Sequence, residues 1–431
     1  MSRPYLVRIV LAVAAVGCLA SLASASTGTR WPRPDRSFGG GRGWVTTRIP
    51  GASSVAYAAA VNQNGRLVVA GEAITRGGNA QIVVLRYRRN GRLDTSFGSR
   101  GVVETSLPAA KGPYIAQSIA RQGSTGRLLI AGGYGLDSML VMRLTANGRL
   151  DRSFGRRGLA TVAVGGIAQS LIVQEGGAIV VGGSNANANG RPMVVARFSR
   201  NGALDRRFGH RGLAQVLFWN PELAASAGAT GLASAPGNGI IAAGHLDYIG
   251  SDGHGSAGVF RLSSRGRLVR GFGTGGHTEV AYTKSGGGFA QWFPCAMTRD
   301  SRGRTVVAGD GSAGRAASLL SIRLTGGGRL DPSYGRGGRA VSPGLRSDSD
   351  TTCGSAASRG GITVGVGSTV TRLRPNGSSN ARFGRRGVFT VSRPRGVSLN
   401  AVVAVASGRV TVAGAAGNSI YVARYLVPAG L

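Results

Sequence analysis

Short hydrophobic runs alternate with glycine-rich polar turns along most of the chain, and they recur in a fixed order. The first unit reads SSVAYAAAVN, the turn Asn64-Gly65, RLVVAGE, a loop, QIVVLRYRR, the turn Asn90-Gly91 and RLDTSFGSRGVVET. Asn-Gly between β-rich runs is a strong hairpin signal, because both central residues of a type I′ turn need positive φ. The runs show no sustained helical period. The pattern therefore predicts four-stranded antiparallel meanders, whose strands we label a to d.

The d run carries a motif whose spacing defines the repeat. LDTSFGSRG at 93–101 returns as LDRSFGRRG at 150–158, LDRRFGHRG at 204–212 and LDPSYGRGG at 330–338, with weaker copies at 34–43, 268–276 and 379–387. The motif aromatics are Phe38, Phe97, Phe154, Phe208, Phe272, Tyr334 and Phe383, so that six intervals cover 345 residues. This interval is too long for a solenoid rung and suits a four-stranded propeller blade.

The order of runs at the two ends predicts how the ring closes. The chain after residue 25 begins with a d motif, DRSFGGGRGWVTT, and it ends on a c run, NSIYVARYLV. Seven a-b-c units and seven d strands match only if the first d strand joins the last unit, which removes two exposed sheet edges. We therefore predict an all-β, seven-bladed β-propeller that forms a single domain over residues 26–431, with its N-terminal strand in the C-terminal blade.

The motif L-D-x-S-F-G-x-x-G, with GRLLxAG in strand b and a c strand ending RLxxNG, resembles the delta-60 repeat of extracellular and cell-surface proteins. The resemblance covers nearly all of the chain after residue 25. Val269 and Asn380 depart from it at the Asp position, and Pro34 departs from it at the Leu position. It implies a β-propeller in an extracellular setting, and it brings no general activity or catalytic residues.

Residues 1–25 have the organisation of a secretory signal peptide. Two arginines precede the apolar run 9–22, and the letters ASA at 23–25 place small residues before the expected cleavage site. We expect a secreted or cell-surface protein. Because Val16-Gly17-Cys18 resembles a lipobox, a lipid anchor at Cys18 is the alternative. The mature chain has no run that predicts a membrane span.

Two charged residues recur with the repeat, and we expect both to be structural. The motif aspartates should form Asx turns by accepting hydrogen bonds from the following S-F-G bend, with calcium ligation as the alternative. Simple hairpin pairing places Asp94 opposite Tyr87, so we expect Arg86 to contact the neighbouring blade rather than Asp94. A sevenfold polyanion-binding ring is the alternative for the c-strand arginines Arg86, Arg143, Arg197, Arg261, Arg323, Arg372 and Arg424.

Two cysteines lie near the starts of adjacent a strands. Cys295 and Cys353 each precede a b-strand glycine, Gly309 and Gly367, by 14 residues. Because inner strands approach one another near the axis, we expect a disulfide between the two in an oxidising compartment. A free catalytic thiol is the alternative, but no histidine lies at a recognisable spacing.

The formal net charge is +35, and it comes almost entirely from arginine. In a meander the a–b and c–d turns lie on one face, the turn face, and the b–c and d–a loops lie on the other, the loop face. Arginines concentrate in the c–d turns, at Arg88, Arg89, Arg92, Arg149, Arg152, Arg200, Arg206, Arg207, Arg265, Arg267 and Arg270. Further arginines follow within the d run, at Arg156, Arg157, Arg211, Arg385 and Arg386. Such a surface attracts polyanions without reading a sequence. The alternative is an arginine-rich coding bias that decorates a solvated rim.

The loop face holds the irregular connections 217–228, 245–258 and 283–293 of blades four and five. Aromatics beside carboxylates suit sugar binding or acid–base chemistry. The candidate ligand-binding residues are Trp219, Glu222, His245, Asp247, Tyr248, Asp252, His254 and Trp292. The spacing of Asp247 and Asp252 does not fit a calcium loop, and two histidines nine residues apart in a glycine-rich loop are more often solvated than ligating.

These observations favour an exported, non-enzymatic binding or scaffold module with a basic rim suited to anionic envelope polymers, acidic glycans or another protein. A carbohydrate hydrolase or lyase that uses the loops of blades four and five is the alternative. The sequence contains no HExxH, G-x-S-x-G or Walker motif. We therefore expect no cofactor, no metal site, no sequence-specific nucleic-acid binding and a monomer.

Overall fold

The computed structural model describes residues 31–62, 64–105, 114–135, 137–218, 224–248, 255–282, 291–300, 302–312, 317–345, 353–358, 361–391, 393–405 and 408–427. These residues form 29 β-strands and one 3₁₀ turn, Glu175–Gly177. In the described part of the chain, no helix is long and apolar enough to cross a membrane.

The strands form seven antiparallel sheets arranged as blades. The first two strands, β1 (Arg33–Pro34) and β2 (Trp44–Thr47), belong to the last blade. Blade one contains β3 (Ala52–Val61), β4 (Leu67–Thr75), β5 (Ala80–Tyr87) and β6 (Val102–Glu104). Blade two contains β7 (Tyr114–Gln122), β8 (Arg127–Tyr134), β9 (Ser138–Leu144) and β10 (Leu159–Ala163). Blade three contains β11 (Ala168–Val173), β12 (Ile179–Ser184), β13 (Met193–Phe198) and β14 (Leu213–Val216).

The remaining blades follow the same order. Blade four contains β15 (Ala224–Ala235), β16 (Gly239–Tyr248), β17 (Gly255–Leu262) and β18 (His277–Ala281). Blade five contains β19 (Gln291–Arg299), β20 (Thr305–Ser312), β21 (Ser318–Leu324) and β22 (Arg339–Pro343). Blade six contains β23 (Cys353–Ser358), β24 (Gly361–Val366), β25 (Thr369–Leu373) and β26 (Val388–Thr390). Blade seven contains β27 (Val397–Val405), β28 (Arg409–Ala416) and β29 (Ser419–Leu426) together with β1 and β2. The predicted seven-bladed propeller is confirmed.

The N-terminal strands close the ring on blade seven. β2 pairs antiparallel with β29, from Trp44 opposite Ala423 to Thr47 opposite Ile420. The Asp35 amide donates a hydrogen bond to the carbonyl oxygen of Arg424 at 2.9 Å. The N-terminal and C-terminal strands of the described chain therefore lie in one sheet. β2 is the fourth strand of this sheet, so blade seven is complete.

The motif aromatics fill the junctions between blades. Phe97 is fully buried, and the guanidinium carbon of Arg86 lies 4.5 Å from its ring centroid. On the side of blade two, a Cβ atom placed on Gly148 would lie 2.9 Å from the Phe97 ring. The Gly98 amide donates to the Asn147 carbonyl oxygen of that same turn at 2.8 Å. Phe97 therefore acts as a wedge between blades one and two, and only glycine at position 148 leaves room for its ring.

Six of the seven inner strands contain a β-bulge at the same height. The pairing of strands a and b skips residues near the middle of β3, β7, β11, β15, β19 and β27. The skipped residues are Tyr57, Gln117, Gln169, Ala229 with Thr230, Cys295 and Asn400. A bulge bends its strand and redirects a side chain. Here it turns one side chain per blade toward the axis.

The bulges explain the glycine that recurs in strand b. A Cβ atom on any of these glycines would lie 1.7 to 2.0 Å from a carbonyl oxygen of strand a or, for Gly183, of Ile167 just before it. The glycines are Gly71, Gly132, Gly183, Gly244, Gly309 and Gly414. Blade six has Val366 there, and its pairing runs without a shift from Cys353 opposite Val366 to Gly354 opposite Gly365. The one blade that lacks the glycine thus also lacks the bulge.

Candidate functional site

The recurring Arg and Asp form a buried structural corner. Arg143 Nε donates to Asp151 Oδ2 at 2.9 Å, and its Nη2 donates to Ser153 Oγ at 3.0 Å. Its Nη1 donates at 3.0 Å to the carbonyl oxygen of Arg200 in blade three. Arg86, Arg197, Arg323 and Arg424 likewise combine an ion pair in their own blade with a carbonyl contact in the next. The predicted contact with the neighbouring blade is confirmed.

The predicted separation of Asp94 from Arg86 is wrong. Leu93 is the residue opposite Tyr87, and the Asp94 amide donates to the Arg86 carbonyl oxygen at 2.8 Å. This register brings Asp94 Oδ2 to 2.8 Å from Arg86 Nε. The expected Asx turn is present as well, since the Ser96 amide and hydroxyl donate to Asp94 Oδ1. With their acceptor sites used in this way, these aspartates hold the fold together.

Hydrogen bonds and ion pairs keep these carboxylates ionised despite burial. Burial opposes ionisation of Asp35, but donors from Ser37 and the guanidinium groups of Arg409 and Arg424 lower its pKa to about 2. The pKa values of Asp94, Asp151 and Asp331 are lowered in the same way, with burial again opposing the serine and arginine donors. The corners are therefore charged and paired at neutral pH.

A cavity of about 610 Å³ lies on the axis of the ring. Residues of all seven a strands line it, and the bulge residues supply most of its polar atoms. The bulge residues on its wall are Tyr57, Gln117, Gln169, Thr230, Cys295 and Asn400. Two of them also join neighbouring inner strands: Asn400 donates to the Ala56 carbonyl oxygen at 3.0 Å, and Thr230 donates to that of Pro294 at 3.2 Å. The bulges thus build a polar wall at the centre of the propeller.

A histidine of the second strand reaches this cavity through a gap in blade four. His245 of β16 pairs with Gly228 of β15, and it lines the cavity. A Cβ atom on Gly228 would lie 2.7 Å from Cε1 of His245 and 2.2 Å from Oε1 of Gln169. The absence of a side chain at Gly228 therefore lets both groups approach the same space. Burial lowers the pKa of His245, against the opposing effect of Asp247, so the imidazole is neutral at pH 7.

Asp247 lies on the same cavity wall, two residues further along β16. Its Oδ2 accepts a hydrogen bond of 2.6 Å from the hydroxyl of Ser226. Its Oδ1 is shielded from solvent and has no hydrogen-bond donor among the described residues. Gln169 Oε1 is also shielded from solvent and has no hydrogen-bond donor among the described residues. Two acceptors with no donor among the described residues therefore belong to residues that line the same cavity.

The structure separates the residues predicted to form a loop-face site. His245, Asp247 and Tyr248 lie on β16 rather than in a loop, because this strand extends to Tyr248. Tyr248 donates to Glu279 Oε1 at 2.5 Å, and burial together with Glu279 raises its pKa. The candidates Trp219, Glu222, Asp252 and His254 lie outside the described residues.

Trp292 is in the core. It is fully buried and packs edge-to-face against Tyr282, with ring centroids 4.9 Å apart. Phe293, the next residue of β19, is 40% exposed and lines the axial cavity instead. Strand alternation explains the difference, since successive side chains point to opposite faces. Neither Phe293 nor Gln169 is among the residues predicted from the sequence, and the strand-b glycine that marks the bulge is the signal that could have indicated Gln169.

Cys295 is the bulge residue of β19, and it is disulfide-bonded. The side chain of Cys353 lies outside what the structure describes, so its pairing with Cys295 stays a prediction. β19 and β23 are neighbouring inner strands, which is consistent with that pairing. The register shows that Val366, not Gly367, occupies the place of Gly309, because Thr363 and Val306 pair with the corresponding arginines Arg372 and Arg323.

Unpaired arginines cover the turn face of blades two and three. They are Arg149, Arg152, Arg156, Arg157, Arg200, Arg206, Arg207 and Arg211, all exposed. Within the described part of the chain, none of these guanidinium groups forms a salt bridge. Asp151 and Asp205 of the same turns are neutralised by their corner arginines, which leaves Glu175 as the exposed carboxylate described there. This surface is strongly cationic.

Four arginines adopt a left-handed backbone in the turn that precedes the d strand. Arg100, Arg157, Arg211 and Arg386 have φ between 53° and 55°, and all four are exposed. Blades four and five have Gly275 and Gly337 at this place. A residue with a Cβ atom pays about 1 kcal/mol or more for this conformation. Glycine would be the less strained residue at these four positions.

Among the described residues, no group of three or more His, Cys, Asp or Glu side chains could hold a metal ion.

Comparisons with known proteins agree with the fold. The model of the family described as domain of unknown function (DUF5122) beta-propeller matches residues 63–97 and 123–154. No curated protein matches the chain. Among solved structures, a catalytically inactive virginiamycin B lyase from Staphylococcus aureus with quinupristin has a TM-score of 0.50 at 10% identity, covering 89% of this chain and 99% of that chain.

Two further structures resemble the chain more weakly. An ulvan lyase of polysaccharide lyase family 25 has a TM-score of 0.46 at 13% identity, over 89% of this chain and 96% of that one. An α-L-arabinofuranosidase from Fusarium graminearum has a TM-score of 0.42 at 12% identity, over 92% and 96%. Likeness at these identities concerns the fold alone. The chain is a seven-bladed β-propeller, two segments of which match the DUF5122 beta-propeller family.

Proposed function

We propose that the protein is an exported, non-enzymatic binding module whose turn face holds an anionic polymer of the cell envelope. The observation that carries this proposal is the group of eight exposed, unpaired arginines on blades two and three. Closely spaced cations without counter-charges attract a polyanion and release its condensed counterions. The signal-peptide pattern of residues 1–25 and the resemblance to the delta-60 repeat support an extracellular setting.

The distribution of charge between the faces supports a site on the turn face. The described loop-face arginines Arg48, Arg76, Arg393 and Arg395 are divided among three connections, and no one of these connections holds more than two of them. Acidic residues also occur in these connections, as at Asp137. The turns of blades two and three instead place eight arginines within two short segments, 149–157 and 200–211. A linear polyanion can contact several such groups at once.

A carbohydrate hydrolase or lyase has less support. Most glycoside hydrolases need two carboxyl groups at the scissile bond. Asp247 is the carboxylate that lines the axial cavity among the described residues, and Glu222 and Asp252 lie outside them. Hydrolysis would therefore need a second carboxylate beyond those of the described cavity lining, whereas polyanion binding needs only the described arginines of the turn face.

Neutralising four turn-face arginines should weaken polyanion binding tenfold or more. The variant R149Q/R152Q/R156Q/R206Q removes exposed charges that make no ion pair, so the fold should be retained. Binding of a fluorescent heparin oligosaccharide is measured by anisotropy across a NaCl series. The slope of log Kd against log salt should fall by about one for each contact removed.

The matched control is R48Q/R76Q/R393Q/R395Q, which removes the same charge from the loop face. It should keep most of the affinity and nearly the wild-type salt slope. Equal losses in the two variants would mean that net charge alone governs binding. Binding that does not depend on salt would refute the proposal.

A further inference from the structure

The axial cavity has a different chemistry from the rest of this basic protein. Its described lining contains no arginine or lysine, although the chain has a formal net charge of +35. Asp247 is the charged side chain of that lining, and His245 beside it is neutral at pH 7. An anionic ligand that suits the turn face would meet a carboxylate here, without a cation to offset it. The cavity therefore selects against anions.

Two hydrogen-bond acceptors of the cavity-lining residues have no donor among the described residues. Gln169 Oε1 and Asp247 Oδ1 are shielded from solvent, and neither has a donor among the described residues. A buried acceptor without a partner costs roughly 1–3 kcal/mol, so each of these two side chains regains that free energy when it turns its oxygen toward a ligand hydroxyl in the cavity. Gln169 Oε1 lies at the gap at Gly228, through which His245 also faces the cavity, and Asp247 follows His245 by two residues on β16. A ligand with several donors can satisfy this cluster at once.

The cavity wall also has an apolar part. The Phe293 side chain supplies this part of the wall, since the residue is 40% exposed and lines the cavity. Sugars combine hydroxyl donors with apolar C–H faces that pack on aromatic rings, and binding pockets commonly combine an apolar surface with a few placed polar groups. A volume of about 610 Å³ is within the range of small-molecule sites.

We propose that the axial cavity binds a neutral polyhydroxylated ligand of the size of a mono- or disaccharide, with hydroxyl groups donating to Gln169 Oε1 and Asp247 Oδ1. This site is separate from the turn face, and it does not depend on the polyanion proposal. Each can fail without the other, since the two use different residues and ligands of different charge.

The test compares three sugars that share one ring and differ in charge. Glucose, glucosamine and glucuronate are titrated into the wild-type protein by ligand-observed NMR, together with galactose, mannose, rhamnose, arabinose and their common disaccharides. At least one neutral sugar should bind with a Kd of about 1 mM or tighter. Its uronate should bind tenfold or more weakly, because it meets Asp247 without a cation. Equal or tighter binding of uronates would overturn the proposal, as would no binding by any neutral sugar.

Variants locate the binding in the cavity. Asp247→Asn and Gln169→Leu each remove an acceptor, and each should weaken the sugar tenfold or more. Gly228→Ala should abolish binding, because its methyl group occupies the gap between Gln169 and His245. Tyr248→Phe is the control, since Tyr248 lies on the same strand outside the cavity lining. Unchanged affinity in the folded Asp247→Asn and Gln169→Leu proteins would place the sugar elsewhere and refute this site. None of these variants should change heparin binding.

Discussion

Gly132→Ala is expected to lower the free energy of unfolding by about 4 kcal/mol or more, and to leave little folded protein at 37 °C. The added methyl carbon would lie 1.7 Å from the carbonyl oxygen of Ile115, and a backbone atom in a paired strand cannot move aside cheaply. Relief would require β7 to lose its bulge, which would change the register of blade two. Thermal or urea unfolding followed by circular dichroism measures the effect.

Gly271→Ala is the matched control. Gly271 has an ordinary negative φ, and a Cβ atom there would meet nothing within 4 Å. Its substitution should change stability by less than about 0.5 kcal/mol. If Gly132→Ala were as stable as Gly271→Ala, the bulge would not be the reason for the recurring glycine.

Asp35→Asn should destabilise the protein by about 3–5 kcal/mol, because it leaves two guanidinium groups at the ring closure without their shared carboxylate. Asp35 Oδ2 accepts from Arg409 at 2.9 Å and from Arg424 at 2.8 Å, and the residue is 3% exposed. The interaction joins the N-terminal segment to the last blade. Urea unfolding at pH 7 measures the loss.

Asp205→Asn provides the comparison at the same motif position. The Asp205 side chain is 29% exposed and pairs with one arginine, Arg197, so its loss should cost about 1 kcal/mol. Equal costs at the two positions would show that Asp35 has no special part in closing the ring.

The pH dependence of Asp35 follows from its lowered pKa. Its folded pKa of about 2 lies below the value of about 3.9 for an unfolded aspartate. The stabilising contribution is therefore complete above about pH 5, and it is lost as pH falls from about 5 to 1. Asp35→Asn should show a shallower loss of stability over that range than the wild type.

Much of the fold could be predicted because similar strand and turn patterns recur in the seven repeats. Asn-Gly hairpins, the alternation within runs and the motif aromatics all indicate the same four-stranded blade. The ring closure followed from the placement of the first d motif and the last c run. Each of these predictions depends on local sequence patterns or on the number and order of the strand runs, and a single sequence contains both.

The axial cavity could not be predicted because it depends on register. A bulge shifts which residue faces the axis, and the alternation of apolar and polar residues does not show where the shift occurs. The b-strand glycine marks it, but its steric reason appears only when strand a lies against it. The same limit explains the wrong pairing of Asp94 with Tyr87, which is an error of one residue in a turn. It also explains the extent of β16, which takes in the predicted loop residues His245 and Asp247.

Hydrogen–deuterium exchange with and without heparin tests most directly whether the turn face of blades two and three is the binding surface. Amides of residues 145–158 and 199–212 should exchange more slowly when heparin is bound, while peptides from the loop face, such as 75–80 and 393–397, keep their rates. Protection confined to the loop face, or spread evenly over all seven blades, would contradict the account.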